Sequence, residues 1–211
     1  MFPSTQQSAT NLAAALVDSK VNSTSSNAGK AFLKFAFQTG EFAFGRDQID
    51  ITGEEIVINT YSIQHGWTLW VNGTPQKELV PFTQDLPFPM DAQQGNTPSE
   101  ARAFEARFVD DEETILVFET NSYGGRAGVD KLLNEVRGRA LSGETVFLFP
   151  KIKLTSNSYK SKQGSTIHNP IFEVVAWVNQ EGETEDVTST IEDNSVEVTE
   201  EAPKTRRRRA S

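Results

Sequence analysis

The chain has 211 residues, two histidines, no cysteine and a formal net charge of −9. No disulfide framework or thiolate metal site can form, and two scattered histidines, His65 and His168, do not make a histidine metal site. The length suits one domain with a real core plus tails.

Residues 1–29 are rich in Ser, Thr, Asn, Gln and Ala and read as a disordered N-terminal segment, with Leu12, Leu16 and Val17 able to line a short helix. The start lacks a basic stretch followed by an apolar run, so no secretory signal is expected. No apolar run reaches membrane-spanning length. The expected setting is therefore soluble and intracellular, and the glycosylation-type triplets at Asn22 and Asn72 read as chance.

The ordered domain is expected over 30–178. AFLKFAFQ places Leu33, Phe35 and Phe37 on one face of a strand, and EFAFG follows Thr39-Gly40 as a second. GRDQIDITGEE reads as a loop and EIVINTYSI as a strand. WTLWV follows Gly66, and Asn72-Gly73 is a strong hairpin turn signal. Residues 83–99, with three prolines and a glycine, read as a long loop. ARAFEARFV and TILVFET read as strands joined by an acidic turn. Val129, Leu132, Leu133, Val136 and Ala140 have helical spacing, giving one helix at about 127–141. Residues 179–211 read as a disordered acidic tail ending in a basic cluster. The fold class expected is mainly β: an OB-like β-barrel or sandwich with one inserted α-helix and disordered tails at both ends.

Charge is segregated along the chain. From Lys30 to Gly125 there are six basic and fifteen acidic residues; from Arg126 to Lys162 there are eight basic and three acidic. Residues 179–203 hold nine acids and no base, and Arg206 to Arg209 follow. Within the basic block, VFLFPKIKL puts Val146, Leu148, Ile152 and Leu154 on one parity and Phe147, Phe149, Lys151 and Lys153 on the other. An aromatic and basic strand face, followed by Tyr159, Lys160, Lys162 and Gly164, suits an unpaired nucleic-acid strand, with rings for bases and cations for phosphates. A two-sided core strand with lysines at its exposed end accounts for the same pattern. Trp67 and Trp70 lie on opposite faces of one strand, so one fills the core and the other is free to be a stacking platform.

Gly124-Gly125 could let backbone approach a phosphate beside Arg126 at a helix N-terminus, or could be a plain turn. Asp110, Asp111, Glu112 and Glu113 could hold a divalent metal, but a charged turn explains them better. No nucleophile–base arrangement, phosphate loop or metal-histidine spacing is present, so a non-enzymatic protein without cofactor is expected. The acidic tail could occupy a basic surface in competition with DNA or recruit partners, or it could serve only solubility.

FLKFAFQTGEFAFG, GWTLWVNG, NSYGGRAGVDKLL and above all LTSNSYKSKQGSTIHNPIFEVVAWV resemble a group of bacteriophage replication-module proteins. The resemblance covers about 30–178 and leaves out both tails. By architecture the group is similar to phage single-stranded-DNA-binding proteins. That similarity implies sequence-independent ssDNA binding in replication and recombination in the host cytoplasm. It also implies tail contacts to a phage DNA polymerase, helicase or recombinase. Such tails end in an aromatic or apolar residue, whereas this one ends in RRRRAS. The DNA-binding residues expected are Arg126, Lys151, Lys153, Tyr159, Lys160, Lys162 and one of Trp67 or Trp70. The alternatives are a virion-assembly or interaction protein, or an acidic DNA mimic that binds a host protein; a homodimer stays open.

Overall fold

In the computed structural model, residues 30–111 and 113–186 are described. The expected N-terminal segment 1–29, and residues 187–211 of the tail expected from 179, therefore lie outside the described residues. Ten strands form one sheet: β1 (Lys30–Ala36), β2 (Glu41–Phe44), β3 (Ile49–Asp50), β4 (Glu55–Val71), β5 (Thr74–Pro81), β6 (Ser99–Phe108), β7 (Ile115–Thr120), β8 (Phe149–Lys160), β9 (Thr166–Val178) and β10 (Thr184–Asp186). A single helix among the described residues, α1 (Tyr123–Leu141), separates β7 from β8.

The sheet order is β10-β9-β8-β4-β6-β7-β1-β2-β3, with β5 also on β4; β1 and β7 run parallel. The sheet is strongly curled into a half-barrel. Residues 51–54 link β2, near one end, to β8 across the curl. Ile51 N donates to Phe42 O on β2 at 2.8 Å, Gly53 N donates to Leu154 O on β8 at 2.8 Å, and Leu154 N donates to Glu54 O at 3.0 Å. An OB-like, mainly β architecture with one inserted helix is the result.

β4 is the spine. Its start pairs with β8, its end pairs with β5 through the Asn72-Gly73 turn, and β6 runs along its other side. The two strand runs expected on either side of Gly66 are one 17-residue strand. Its register against β6 shifts between Asn59 and Gln64, a bulge that bends the strand and strengthens the curl.

The core fills the concave side, and inward residues come from seven of the ten strands: Leu33, Phe42, Ile56, Ile58, Phe104, Phe118, Ile152, Leu154 and Phe172. α1 lays Val129, Leu132 and Leu133 on this cluster, the one face its i, i+3, i+4 spacing makes apolar. The helix begins four residues before the expected start, because Ser122 caps it, its Oγ accepting from Gly125 N at 3.1 Å. The glycines that read as a turn lie inside its first turns. A Cβ on Gly124 would meet the Asn169 side chain at 2.0 Å, and one on Gly125 the Thr120 hydroxyl at 2.2 Å. They allow close packing against β9 and β7, and the Gly125 N–H is taken by the Ser122 cap.

Two further corrections concern boundaries. GRDQIDITGEE contains the short strand β3, paired with β2. The ordered chain also runs past Val178, the expected end of the domain, to Asp186. Asn179 N donates to Glu183 O at 3.0 Å, Glu183 N donates to Asn179 Oδ1 at 2.8 Å, and β10 returns along β9. Here the acids are structural: Glu185 ion-pairs with Arg139 at the end of α1.

His65 lies under the loop over 82–98. Its Nε2–H donates to Gln84 O at 2.9 Å and its ring lies 4.9 Å from that of Phe82, with Arg102, Asp130 and Glu100 nearby. Burial, the largest influence, holds its pKa below the ordinary imidazole value; nearby Arg102 adds to this, and the Gln84 bond opposes it. The folded state thus binds a proton less readily than the unfolded chain. The stability this provides is complete above about pH 6.5 and is lost as pH falls below it. The midpoint of thermal unfolding should drop between pH 7 and pH 5, and less so in His65→Gln. Equal pH slopes for the two proteins would exclude this role.

Candidate nucleic-acid interface

Beyond Lys153 the β8–β9 ladder leaves β4 and continues as a two-stranded arm, with rungs Asn157–Asn169, Ser158–His168, Tyr159–Ile167 and Lys160–Thr166. The first half of the polar run between the expected strands, up to Lys160, is therefore itself strand. A ladder satisfies backbone groups whatever the side chains are, and polar side chains suit a ribbon wetted on both sides. The turn at 161–165 has Gly164 at φ 84°, with Ser161 N donating to Ser165 O at 2.8 Å.

The arm is anchored at its base. His168 N donates to Phe37 O at 2.8 Å, and Gly40, at φ 81°, lies where a Cβ would strike the His168 ring at 2.5 Å. Asn169 packs on Gly124 at the start of α1. Two elements distant in sequence thus meet the base of the arm, each with an exposed aromatic residue at or next to the contact. Phe37 is 54% exposed, Tyr123 83% and Tyr159, on the arm itself, 52%. Phe37 and Tyr123 were not foreseen. Phe37 shares the parity of Leu33 and Phe35, but β1 ends at Ala36, so the next ring leaves the buried face. Tyr123 could be found only through the Ser122 cap.

The cations divide sharply. Lys160, whose Nζ donates to Thr166 Oγ1 at 2.7 Å, and Lys162 are exposed near the tip, and Lys153 is exposed where the arm leaves β4. None of the three is ion-paired among the described residues. No carboxylate occurs from Thr145 to Phe172.

The other expected contacts are engaged elsewhere. Lys151 pairs with Glu55 at 2.8 Å and Arg126 with Glu100 at 2.7 Å. Of the rest of the basic block, Lys131 reaches Glu135 and Arg139 is held by Glu144 and Glu185 while lying 4.8 Å over the Trp177 ring. The aromatic and basic face expected on β8 is half right. Phe149, Lys151 and Lys153 do share a parity, but Phe149 is covered by Tyr61, Val57 and Val178 in a small second core. Phe147 precedes the strand.

Trp67 is half-buried and its indole N–H donates to Pro87 O at 2.7 Å, pinning the 82–98 loop. Trp70 is 49% exposed. Lys153 stands opposite Glu55; Trp70 is fifteen positions along β4 in one direction, and Tyr159 six along β8 in the other. The two rings therefore sit at opposite ends of the sheet, and the structure does not bring all the expected residues into one groove.

The Asp111 carboxylate accepts from Glu113 N at 2.9 Å and Thr114 N at 3.1 Å, and hydrogen bonds from Thr114 hold its pKa below the usual carboxylate range. No helix among the described residues is long and apolar enough to cross a membrane. No family model, curated protein or solved structure matches the chain.

Proposed function

We propose that this protein binds single-stranded DNA without sequence preference and without catalysis, serving phage replication or recombination in the host cytoplasm. The observation that carries the reading is the outer part of the β8–β9 arm, residues 154–172: Lys160 and Lys162 without an ion pair, exposed Tyr159, and no carboxylate, in a chain of net charge −9. Phosphates would meet Lys153, Lys160 and Lys162, and bases would stack on Tyr159, Phe37 and Tyr123. Arg126 and Lys151, already neutralised, would contribute little.

The acidic residues of 187–211 would compete for the same lysines or contact a phage polymerase, helicase or recombinase. Titration of fluorescent oligothymidylate into the full chain tests the proposal. Log affinity should fall with log salt at a slope of about −0.7 per phosphate neutralised, so Lys160→Ala/Lys162→Ala should flatten it by about 1.4. Tyr159→Ala should cost about 1–3 kcal/mol, and Lys151→Ala should change little. Absence of ssDNA binding at low salt would remove the reading and favour an acidic DNA mimic, which would bind a basic protein instead.

A further inference from the structure

At the far end of β4 from the arm, the β4–β5 hairpin and the end of β7 enclose an open groove of about 210 Å³. We propose that it seats one nucleobase. The identity of the ligand rests on the single-strand reading above; the groove itself does not depend on the arm.

The lining is Thr68 and Trp70 on β4, Pro75 and Lys77 on β5, and Glu119 and Asn121 at the end of β7. The antiparallel register sets Trp70 beside Pro75 and Thr68 beside Lys77, so a flat apolar wall adjoins a polar one. On the polar wall Lys77 Nζ donates to Glu119 Oε2 at 2.7 Å, and Asn121 Nδ2 donates to Ser99 Oγ at 3.2 Å. Thr68 is 4% exposed and its hydroxyl is buried without a hydrogen-bond partner.

A nucleobase has the matching chemistry: a flat face for the indole and an edge with both donors and acceptors for Lys77, Glu119 and Asn121. An aliphatic chain would leave the polar wall unused. A simple anion would ignore the ring and meet Glu119. The Lys77–Glu119 pair is partly exposed, and such pairs contribute little, so a ligand can part it readily. A sugar, able to lie on an indole and bond to the same groups, is the competing occupant.

The test uses the full chain and dTMP, with glucose as the alternative probe. Trp177 is buried and Trp67 is tied to Pro87, which leaves Trp70 as the indole most open to quenching. Saturable quenching by dTMP that is lost in Trp70→Ala is expected, with Asn121→Ala weakening it and Trp70→Phe retaining dTMP affinity by competition. Oligothymidylates long enough to reach both ends should bind Trp70→Ala about 5- to 150-fold more weakly. Quenching by glucose alone, or by neither probe, overturns the inference. If oligonucleotide binding depends on Lys160 and Lys162 while Trp70 is unaffected, the groove proposal falls and the arm stands. If dTMP quenches Trp70 and the arm variants change nothing, the reverse holds.

Discussion

Phe172→Ala should lower the stability of the domain by about 3–5 kcal/mol. Phe172 is on β9, and its ring reaches three others from separate strands. Its centroid lies 5.2 Å from that of Phe118 and 5.4 Å from that of Phe104, both edge-on, and 6.0 Å from that of Phe42. Gly128 of α1 packs on the same residue, where a Cβ would lie 3.3 Å from the ring. One side chain thus joins β2, β6, β7 and the helix, and removing it leaves a cavity that backbone already held by ladders on several sides cannot close. Against a typical domain stability of about 5–15 kcal/mol this is a large fraction. At about 2–4 °C per kcal/mol for a domain of this size, the unfolding midpoint should fall by about 6–20 °C. Phe88→Ala is the control, since that ring is 93% exposed. A loss below about 1 kcal/mol for Phe172→Ala, measured by circular dichroism, would mean that the helix and sheet do not share this core.

The strands were legible where one face is dry and the other wet. Phe104 and Ala106 on β6, and Leu116 and Phe118 on β7, alternate with outward residues, and the turn between them is marked by acids. The helix body was legible from Val129, Leu132, Leu133 and Val136. Its start was hidden because Gly124 and Gly125 are poor helix formers; they are tolerated there because Asn169 and Thr120 leave no room for a Cβ. β10 was hidden because acids usually mark solvated chain, and it forms here through local bonds between Asn179 and Glu183 and an ion pair to Arg139.

For the site, local pattern pointed to the arm but overcounted its cations. Lys151 and Glu55 are almost a hundred positions apart, and only the β4–β8 pairing shows that one neutralises the other. Arg126 and Glu100 meet because α1 crosses β6. The same limit hid Phe37 and Tyr123, whose neighbourhood is set by the Phe37 carbonyl accepting from His168 N and by Asn169 packing on Gly124. A charge count along the chain records how many cations there are; pairing across the sheet decides which are left for a ligand.

The β4–β5 hairpin rests on one close approach, and Gly66→Ala should break it. Gly66 pairs with Leu79 on one side and Ala101 on the other. A Cβ there would lie 1.9 Å from the carbonyl oxygen of Glu78 and 2.9 Å from Leu79 Cα. Both are backbone, so no side-chain rotation relieves the clash; β5 must move off β4 or the spine strand must bend. Overpacking in a compliant core costs about 1–3 kcal/mol, and this site should exceed the upper end of that range. Gly73→Ala is the informative comparison. Gly73 is in the left-handed region at φ 77° with open space where a Cβ would go, so only backbone strain of about 1–2 kcal/mol is expected. Denaturant unfolding should therefore rank Gly66→Ala well below Gly73→Ala. The hairpin also carries Trp70, Pro75 and Lys77, so any folded Gly66→Ala protein should lose dTMP quenching while its arm, built from β8 and β9, still binds oligothymidylate. Stability of Gly66→Ala within about 1 kcal/mol of the parent would mean that β5 does not lie against β4 at this rung.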